Sequence, residues 1–530
     1  MALQPVLIAG AWRHSKNPVG SFSAVNPTTK TPLPEQYPVS GLEDIELALQ
    51  AGQGAVAELR SADSPAALVQ FLDGFAKQIE ARTDVLVETA VLETALPAEP
   101  RLRSVELPRT TNQLRQAAVA VRDGSWRRAT IDTGSNIRSM YGPLGGPVVV
   151  LGPNNFPFAF NSVAGGDFAA AIAAGNPVIA KANPGHPGTT RILAEAAFAA
   201  VQASGLPLGM VQLIYHTPPE VGLNLVSEAR IGATAFTGSK TAGLALKAAA
   251  DKAGKPIYLE MSSVNPVFIL PGAIRERGAA IAGELYASCS LGAGQFCTKP
   301  GIVILQQDEN SEEFVTAVQS HFEQNAPGTL LNQAGPTGIA EAIATLQEHG
   351  AEIVTGGYEV AEPRFAFANT LLQVLGGRFL AHPHELQTEA FGPVSLLVIA
   401  KDITQMAEVA AQLEGNLTGT IYSHSQDADD TAYAQIEPVL RGKVGRLLND
   451  KMPTGVAVVP AMNHGGPFPA TGHPGFTAVG IPASLLRFAA LHGYDNVRHH
   501  RLPPELQDKN PNGRMWRFID GSWTQEDAGK

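Results

Sequence analysis

The sequence predicts an α/β protein built on a doubly wound, mostly parallel sheet. Short β-branched runs alternate with helical segments between residues 147 and 261, and strand–helix–strand repetition at this spacing is typical of a parallel sheet. Polar residues and glycines also occur where these runs end. Because open α/β sheets bind ligands at the carboxyl ends of their strands, we expect the same segment to hold a site.

The composition limits the number of domains and the classes of partner. With 530 residues, 44% of them apolar and 16% charged, the chain is globular and long enough for roughly two to four domains. The formal net charge is -11 and no basic stripe is present, so we expect no nucleic-acid partner. No run of about 18 apolar residues occurs, so we expect no membrane span.

Cys289 and Cys297 are the two cysteines of the chain. This number excludes a disulfide framework, and a zinc site built on cysteines would lack partners, so we predict no metal site. The N-terminal text MALQPVLIAGAWRHS has neither a basic n-region nor a long apolar h-region and predicts no signal peptide. Together these features favour the reducing cytoplasm.

The elements can be assigned in order along the chain. Short apolar runs and turns in residues 4–25 predict a small hairpin at a domain edge, and apolar residues at helical spacing predict four helices within residues 43–123. Residues 126–141 are polar and strand-like. Five parallel strands are then predicted at residues 147–152, 177–182, 210–216, 231–239 and 256–261.

A second α/β block is predicted from Asn265 onward. A helix and a loop lead to Cys297, and further strands are expected in the runs GIVILQQ, AEIVTGG, LLQVL and SLLVIA. Near the end of the chain, ASLLRFAALHG (residues 483–493) has a helical pattern, and a Pro- and charge-rich tail follows.

Cys297 lies in the Gly-rich loop SLGAGQFCTKPG. Gly292 and Gly294 would let the backbone approach a substrate, and nearby amides can lower the pKa of a thiol, so the loop suits a nucleophile. Taken alone, however, the residue is better explained as a buried apolar cysteine. Cys289, in a helical apolar stretch, is expected to be of that inert kind.

Two polar residues lie at the ends of predicted strands. Asn155, in LGPNNFPF, could donate its amide to a developing oxyanion or cap the following helix. Glu260 ends the strand PIYLEM. A carboxylate there could act as a general base or lie on the surface.

The text GSKTAG (residues 238–243) follows another strand. Its glycines would admit a phosphate at a helix N-terminus. A phosphate-gripping NTPase loop is disfavoured because Gly232 and Gly238 are one residue too far apart and Ser239 intervenes. No G-x-G-x-x-G follows the first strand, so the standard dinucleotide fingerprint is absent.

Six motifs in order resemble the aldehyde dehydrogenase superfamily: PNNFP, VIAKA, FTGS, LEM, GQFC and EAFGPV. The resemblance covers roughly residues 5–480 and overturns the inert interpretation of Cys297. It implies an α/β fold with three parts: a Rossmann-type cofactor domain (residues 1–125 and 146–262), an α/β catalytic domain (263–460), and an oligomerisation hairpin with a C-terminal tail (126–145 and 461–530).

The resemblance also implies a role for each matched residue. Cys297 attacks the aldehyde to form a thiohemiacetal, and Asn155 with the Cys297 backbone N–H holds the oxyanion. After hydride transfer to a nicotinamide, Glu260 activates the water that hydrolyses the thioester to the acid. The implied cofactor contacts are Lys181 at the adenosine ribose, Gly238, Ser239 and Gly243 at the pyrophosphate, Glu389 at the nicotinamide ribose, and Phe391 against the ring.

The chain departs from the family pattern at three places. Asn154 stands where a Trp is usual, and Met261-Ser262-Ser263 replaces Leu-Gly-Gly after the general base. Pro184 stands where many NAD-preferring members have a Glu. Because that carboxylate would repel a 2′-phosphate while Lys181 would attract it, we predict that NADP is preferred and NAD is the alternative cofactor.

Within the family, the texts EMSSVNPVF, NHGGPFPAT and YDNVR resemble the dehydrogenases of 2,5-dioxopentanoate (alpha-ketoglutaric semialdehyde). This implies oxidation of that aldehyde to 2-oxoglutarate; an NADP-linked fatty or general aliphatic aldehyde dehydrogenase is the alternative. Arg109 is the candidate cation for the substrate carboxylate, with Arg103 and Arg115 nearby, although each could be a solvated surface arginine. His464 resembles a histidine near the thiol in the fatty aldehyde relatives, or it only orders its turn.

Other classes of function fit less well. Glu260 argues against transfer of the acyl group to coenzyme A, and Cys297 argues against a non-catalytic binding protein. An unrelated thiol hydrolase would need a histidine beside Cys297, which His464 could supply. Residues 126–141 resemble the oligomerising hairpin of the family, so we expect a homo-oligomer, a dimer or tetramer, acting on a small-molecule aldehyde.

Overall fold

A computed structural model describes residues 2–59 and 64–529, so residues 1, 60–63 and 530 of the predicted domain ranges lie outside the described residues. Within the described ranges the strands are β1 (Val6–Ile8), β2 (Ala11–Arg13), β3 (Gly20–Phe22), β4 (Val25–Asn26), β5 (Thr31–Pro32), β6 (Tyr37–Val39), β7 (Thr130–Asp132), β8 (Ile137–Pro143), β9 (Val148–Leu151), β10 (Val178–Lys181), β11 (Val211–Ile214), β12 (Ala233–Thr237), β13 (Ile257–Glu260), β14 (Val267–Ile269), β15 (Ile302–Gln306), β16 (Glu352–Thr355), β17 (Thr370–Leu375), β18 (Val394–Ala400), β19 (Asn416–Tyr422), β20 (Val444–Asn449), β21 (Ala489–Asp495), β22 (Arg517–Ile519) and β23 (Ser522–Thr524).

The α-helices of the described residues are α1 (Leu42–Leu59), α2 (Ser64–Glu80), α3 (Thr83–Thr94), α4 (Leu107–Asp123), α5 (Gly166–Ala173), α6 (Pro187–Ser204), α7 (Pro219–Ser227), α8 (Lys240–Lys252), α9 (Pro271–Ser290), α10 (Glu309–Gln324), α11 (Ala334–Glu348), α12 (Gly376–Ala381), α13 (Ile403–Gln412) and α14 (Asp430–Arg441). A π-helical segment, Ala98–Glu106, leads directly into α4. Proline stands in the first turn of α4 and of α6, where a missing N–H leaves no helical bond unmade.

The first large sheet has the order β13-β12-β9-β10-β11-β1-β2. The five predicted strands are present, and β13, β12, β9, β10 and β11 are parallel throughout. The predicted N-terminal hairpin is confirmed as β1–β2 at one edge of the sheet. Chain order reverses between β9 and β12, so the switch point, where such sheets bind ligands, lies at the carboxyl ends of these two strands.

The second large sheet has the order β16-β17-β18-β15-β14-β19-β20. Its strands are parallel except for β16, which pairs antiparallel with β17. The four predicted strands of this block are present as β15 to β18. Strands β14, β19 and β20 were not predicted; β19 is buried at every position despite its two threonines.

The third sheet has the order β21-β8-β7-β22-β23. The hairpin predicted in residues 126–145 is confirmed as β7–β8. The helix predicted for ASLLRFAALHG is wrong, because only Ala483–Phe488 is helical, as a 3-10 turn, and the rest belongs to β21. Strand β21 pairs along the whole of β8, and this tertiary pairing overrides the local helical pattern.

Residues 461–488, which the predicted domain division groups with the hairpin of residues 126–145, contact the first sheet. Met261 N donates to Ala470 O at 2.8 Å, and Ile481, Leu485 and Phe488 belong to the apolar core around the first sheet. This segment therefore brings its polar residues to the end of β13.

No helix within residues 2–59 and 64–529 is both long enough and apolar enough to cross a membrane.

Candidate active site

The predicted site residues meet in a cleft between the two large sheets. The first sheet contributes residues at the carboxyl ends of its strands, and the second contributes residues just before its strands begin. A cavity of about 800 Å³ fills the cleft, within the size range of cofactor sites. The predicted residues that line it are Asn155, Lys181, Gly238, Ser239, Glu260, Cys297, Glu389 and Phe391.

The loop that carries Cys297 has an unusual backbone. Gly292, Ala293 and Gly294 have φ angles of 58°, 55° and 71°, a region that disfavours side chains. A β carbon on Gly294 would lie 2.1 Å from Gly392 O, so only glycine lets the loop pack against the segment before β18. This packing places the thiol next to Glu389 and Phe391 in the cavity wall.

A buried asparagine fixes the backbone on the other side of the thiol. Asn265 Nδ2 donates to Cys297 O and to Lys299 O, each at 2.9 Å. Lys299 Nζ in turn donates to Ala390 O at 3.0 Å and Val394 O at 2.6 Å. The thiol is therefore held on a rigid support that includes the predicted cofactor segment around Glu389.

Cys297, His464 and Glu260 come together although they lie far apart in sequence. Cys297 Sγ is 3.5 Å from His464 Nε2, and the same nitrogen is 3.0 Å from Glu260 Oε1. His464 and Glu260 are each only 1% exposed. Glu260 Oε2 is buried and has no hydrogen-bond partner among the described residues, so it can accept a bond from water or substrate.

The surroundings of Cys297 favour the protonated thiol. Burial raises its pKa well above the usual value, the charge and hydrogen bond of Glu260 raise it further, and the cation of Arg109 opposes the shift. A nucleophile needs the thiolate form. The site therefore needs a base within reach of Sγ, and His464 is placed to be that base.

Asn155 does not cap a helix, because the next helix, α5, begins only at Gly166. Its Nδ2 donates to Gln295 O at 2.9 Å. A carboxamide has two N–H groups, so this bond fixes the orientation while the second N–H is left for an oxygen on the substrate. The arrangement suits an oxyanion donor.

Sequence reasoning missed the residues that hold the Asn155 turn. Glu106 Oε1 accepts from the backbone N–H groups of Phe158 and Ala159 at 2.8 and 2.9 Å. Arg101 pairs with Glu106 and donates to Asn155 O at 3.0 Å. Both belong to the π-helical segment before α4, and nothing in their local sequence indicated that it would reach this turn.

The residues at the carboxyl ends of β10 and β12 suit a phosphorylated nucleotide. The one hydrogen bond of Lys181 Nζ within the described part of the chain goes to Ala182 O at 3.3 Å, so the ammonium retains donors for a ligand. Gly238 and Ser239 precede α8, whose free N–H groups suit a phosphate. Glu389, the predicted contact of the nicotinamide ribose, is a separate case, because its charge acts on Cys297. Burial raises the pKa of Glu389 to about 7, and the Lys299 cation opposes that shift.

Gly243 is the predicted cofactor residue that does not line this cavity. It lies in the first turn of α8, where its N–H donates to Ser239 O at 2.9 Å. A β carbon there would lie 2.8 Å from the sulfur of Met261. Glycine at this position therefore lets α8 pack closely against Met261, the residue directly after β13.

Of the three candidate arginines, two form ion pairs on the surface and one packs against aromatic rings. Arg103 pairs with Asp84 at 2.7 Å and Arg115 with Glu80 at 2.7 Å, both on the surface. The Arg109 guanidinium instead lies 5.6 and 5.2 Å from the ring centroids of Phe156 and Phe160. Its Nε and Nη2 atoms are buried without a partner among the described residues.

The charge of Arg109 interacts with the charges of the candidate reacting groups. Burial lowers the pKa of its guanidinium, while the charges of Glu106, Cys297 and Glu260 raise it. Arg446, which sequence reasoning missed, is a half-buried cation that donates to Pro453 O at 3.1 Å; burial lowers its pKa, and the charge of Cys297 raises it. A guanidinium with unpartnered N–H groups is costly to bury, so Arg109 can donate to an anionic group, although it is not among the residues that line the cavity.

Cys289 is the inert cysteine that its helical context predicts. It is fully buried in α9, and its Sγ donates to Pro300 O at 3.4 Å. Burial raises its pKa to about 11.

Comparison with known proteins adds an independent line of evidence. The sequence profile described as "Aldehyde dehydrogenase family" matches residues 12–459. The chain is 40% identical to alpha-ketoglutaric semialdehyde dehydrogenase 2 of Azospirillum brasilense over 93% of this chain and 94% of that protein. It is 36% identical to the alpha-ketoglutaric semialdehyde dehydrogenase of Acinetobacter baylyi over 95% and 96% of the two chains.

Solved structures share the fold at lower identity. A mutant of aldehyde dehydrogenase C of Pseudomonas syringae, complexed with NAD+ and octanal, superposes with a TM-score of 0.79 at 21% identity, over 93% of this chain and 96% of that one. The 1-pyrroline-5-carboxylate dehydrogenase from Thermus with bound NAD gives a TM-score of 0.78 at 23% identity, over 93% and 92%. These two structures show the fold. The profile match and the two full-length relatives establish that the chain belongs to the aldehyde dehydrogenase family, oxidoreductases that act on aldehydes with NAD(P).

Proposed function

We propose that the protein oxidises 2,5-dioxopentanoate to 2-oxoglutarate, with NADP as the preferred cofactor. The observation that carries the choice of substrate is the guanidinium of Arg109, whose Nε and Nη2 atoms are buried without a partner among the described residues and whose charge acts on Cys297. This aldehyde has a carboxylate that can accept hydrogen bonds from those atoms. The names of the two full-length relatives point to the same compound.

The first half of the reaction uses the thiol and its two neighbours. In the tautomer that carries its proton on Nδ1, His464 has a free lone pair on Nε2, which lies 3.5 Å from Sγ and takes the thiol proton. The imidazolium formed in this way then ion-pairs with Glu260 Oε1, 3.0 Å from the same nitrogen. The thiolate attacks the aldehyde carbon. The oxyanion formed is stabilised by the second N–H of Asn155 and the backbone N–H of Cys297.

The second half of the reaction is hydrolysis. A nicotinamide bound in the cavity supplies the hydride acceptor, and Cys297 then carries the acyl group as a thioester. Glu260 Oε2, buried and unpartnered among the described residues, takes a proton from the attacking water. The acid leaves, the sulfur regains its proton from the His464 imidazolium, and Glu260 releases the proton taken from water to the solvent.

The substrate assignment predicts a selective effect of Arg109→Met. The kcat/KM for 2,5-dioxopentanoate should fall by about 10- to 100-fold, the loss of a charge-assisted hydrogen bond, whereas pentanal should be affected little. Both rates are followed by absorbance of the reduced cofactor. Arg103→Met, whose side chain pairs with Asp84 and Glu99 on the surface, is the matched control and should change neither rate.

Two outcomes would contradict this assignment. An equal loss for both aldehydes would mean that Arg109 supports the thiol or the fold instead of the substrate carboxylate. A wild-type kcat/KM that is higher for long-chain aldehydes would favour the fatty aldehyde alternative. That alternative is supported by the aromatic group beside the thiol, which includes Phe156, Phe160, Phe296 and Phe476.

The cofactor preference predicts a pH dependence that involves Lys181. Burial lowers the pKa of its ammonium to about 8, so the group is charged below that pH and neutral above it. The kcat/KM for NADP divided by that for NAD should therefore fall as pH rises through about 8, because only NADP places a phosphate charge there. His216, also in the cavity wall, has a lowered pKa from burial and from Lys181 and stays neutral in this range.

Taking the ratio cancels the ionisation of groups that both cofactors share, including the thiol. Lys181→Met should lower the ratio at pH 7 and abolish its pH dependence. A ratio that favours NAD at every pH in the wild-type protein would refute the NADP preference.

We also propose a homo-oligomer that acts in the cytoplasm. Strand β21 forms an edge of the third sheet and exposes Leu491, which is 61% accessible; such edges pair readily with another chain. Two free cysteines, one of them the nucleophile, suit a reducing compartment. Sedimentation velocity tests the first statement, and a purely monomeric boundary would contradict it.

A further inference from the structure

The thiol, imidazole and carboxylate of the candidate site also form a potential metal-binding group. Cys297 Sγ, His464 Nε2 and a Glu260 oxygen all lie within 4.8 Å of one another. They come from the loop before β15, the segment after β20 and the end of β13. The supports described above hold the Cys297 loop, and β13 holds Glu260, so the ligand atoms are brought together before any ion binds.

Two of the three separations between the ligand atoms are close to those around a zinc ion. Zn²⁺ binds sulfur at about 2.3 Å, and nitrogen and oxygen at about 2.0–2.2 Å, with tetrahedral angles, which places sulfur and nitrogen about 3.6 Å apart and nitrogen and oxygen about 3.4 Å apart. The observed separations are 3.5 Å for Sγ to Nε2 and 3.0 Å for Nε2 to Oε1. The first already fits, and the second needs to widen by only about 0.4 Å.

The charges and the open side of the site also suit this ion. Thiolate and carboxylate together offset the two charges of Zn²⁺, and thiolate with imidazole selects zinc over magnesium or calcium. Glu260 and Cys297 line the cavity, so the fourth position of a tetrahedral ion would face open space. Three protein ligands and one open position are what an exchangeable zinc site requires.

We propose that Cys297, His464 and Glu260 form an inhibitory zinc site, so that free Zn²⁺ reversibly blocks aldehyde oxidation by binding the nucleophile. The S–H bond breaks, the proton leaves to solvent, and an S–Zn bond forms with no change in oxidation state. Affinity therefore rises with pH. The sulfur lone pair that would attack the aldehyde is occupied, so inhibition is competitive with the aldehyde and is reversed by a chelator. The inhibition rests on the proposed function, but the binding does not.

The experiment uses the full-length protein without aldehyde or cofactor. Co²⁺ serves as a spectroscopic probe, because a cobalt–thiolate bond gives near-ultraviolet charge-transfer absorption and a tetrahedral site gives intense visible bands. We expect one equivalent of Co²⁺ to produce both and one equivalent of Zn²⁺ to remove them. His464→Asn and Cys297→Ser should each weaken Zn²⁺ binding by at least about 100-fold.

One other group of three possible ligands in the described part of the chain provides the control. His349, His382 and Glu385 lie close together but include no thiol, so His382→Gln should leave the charge-transfer band intact. A band that disappears in His382→Gln, or wild-type protein that gives no thiolate band, would overturn the proposal.

A second measurement needs no variant. Bound Zn²⁺ should protect Cys297 from alkylation by iodoacetamide, as read by peptide mass spectrometry, and a chelator should restore the reaction. Buried Cys289 should stay unmodified with and without Zn²⁺, which checks that the protein remains folded. Alkylation of Cys297 at an unchanged rate in saturating Zn²⁺ would refute the site even if aldehyde oxidation were inhibited. Binding without inhibition of any aldehyde oxidation would instead count against the proposed function.

Discussion

Glu260→Gln should give a protein that oxidises about one equivalent of aldehyde per site and then nearly stops. The glutamine keeps the shape of the side chain but cannot take a proton from water, so the thioester on Cys297 accumulates. Steady-state kcat should fall by about 10²- to 10⁴-fold, the usual contribution of a general base. Stopped-flow absorbance of the reduced cofactor would show a burst followed by a slow phase.

The burst separates two roles of this carboxylate. A full burst places Glu260 in hydrolysis only, whereas a burst that is slowed in proportion to kcat would place it in activation of the thiol through His464. Mass spectrometry of the quenched protein should find the acyl group on the peptide that contains Cys297. Glu313→Gln, on the exposed side of α10, should retain wild-type turnover; if steady-state turnover also stays normal in Glu260→Gln, the assigned base is wrong.

Cys297→Ser should abolish the reaction, with a loss in kcat/KM of at least about 10⁴-fold, as when a nucleophile is removed from a catalytic group that acts as a unit. A serine hydroxyl is much harder to ionise than a thiol, and the buried site beside Glu260 already disfavours the anion. NADP binding should be unchanged, which equilibrium titration would check.

The chain supplies a matched control for this variant. Cys289→Ser changes the same atom at a position that is fully buried and lies outside the cavity. Its hydroxyl can still donate to Pro300 O, the present partner of the thiol, so kcat should stay within a few-fold of the wild-type value. If Cys289→Ser lost as much activity as Cys297→Ser, the assignment of the nucleophile would fail.

Much of the first sheet could be predicted because each of its strands is specified by a short, local sequence pattern. Each parallel strand is a short β-branched run, and the residues that follow it must lie at one edge of the sheet. Asn155 and Glu260 became candidates in this way, whereas Lys181 was indicated only by the resemblance to the family. The role of Cys297 as nucleophile could not be identified from its loop alone. It was indicated only because the other five motifs occur in the same order as in the family.

The remaining features depend on contacts between distant segments. Arg446 lies in β20, and nothing in its neighbourhood indicates that it will interact with a thiol in a loop far earlier in the chain. The position of His464 depends on residues 461–488 crossing to the first sheet. The segment FAALHG has helix-compatible residues, but its pairing with β8 decides its structure.

The division of the site between two sheets has a consequence for the order in which products depart. In the proposed reaction, the cofactor contacts lie at Lys181, the last residue of β10, and at Ser239, just after β12, both at the first sheet, whereas the sulfur that would carry the half-reacted substrate lies in a loop before β15 of the second sheet, held by Asn265. The acyl group is thus retained by a covalent bond and does not depend on the nucleotide for its retention. The spent nucleotide can dissociate and leave the space beside the thioester to water, without loss of the intermediate.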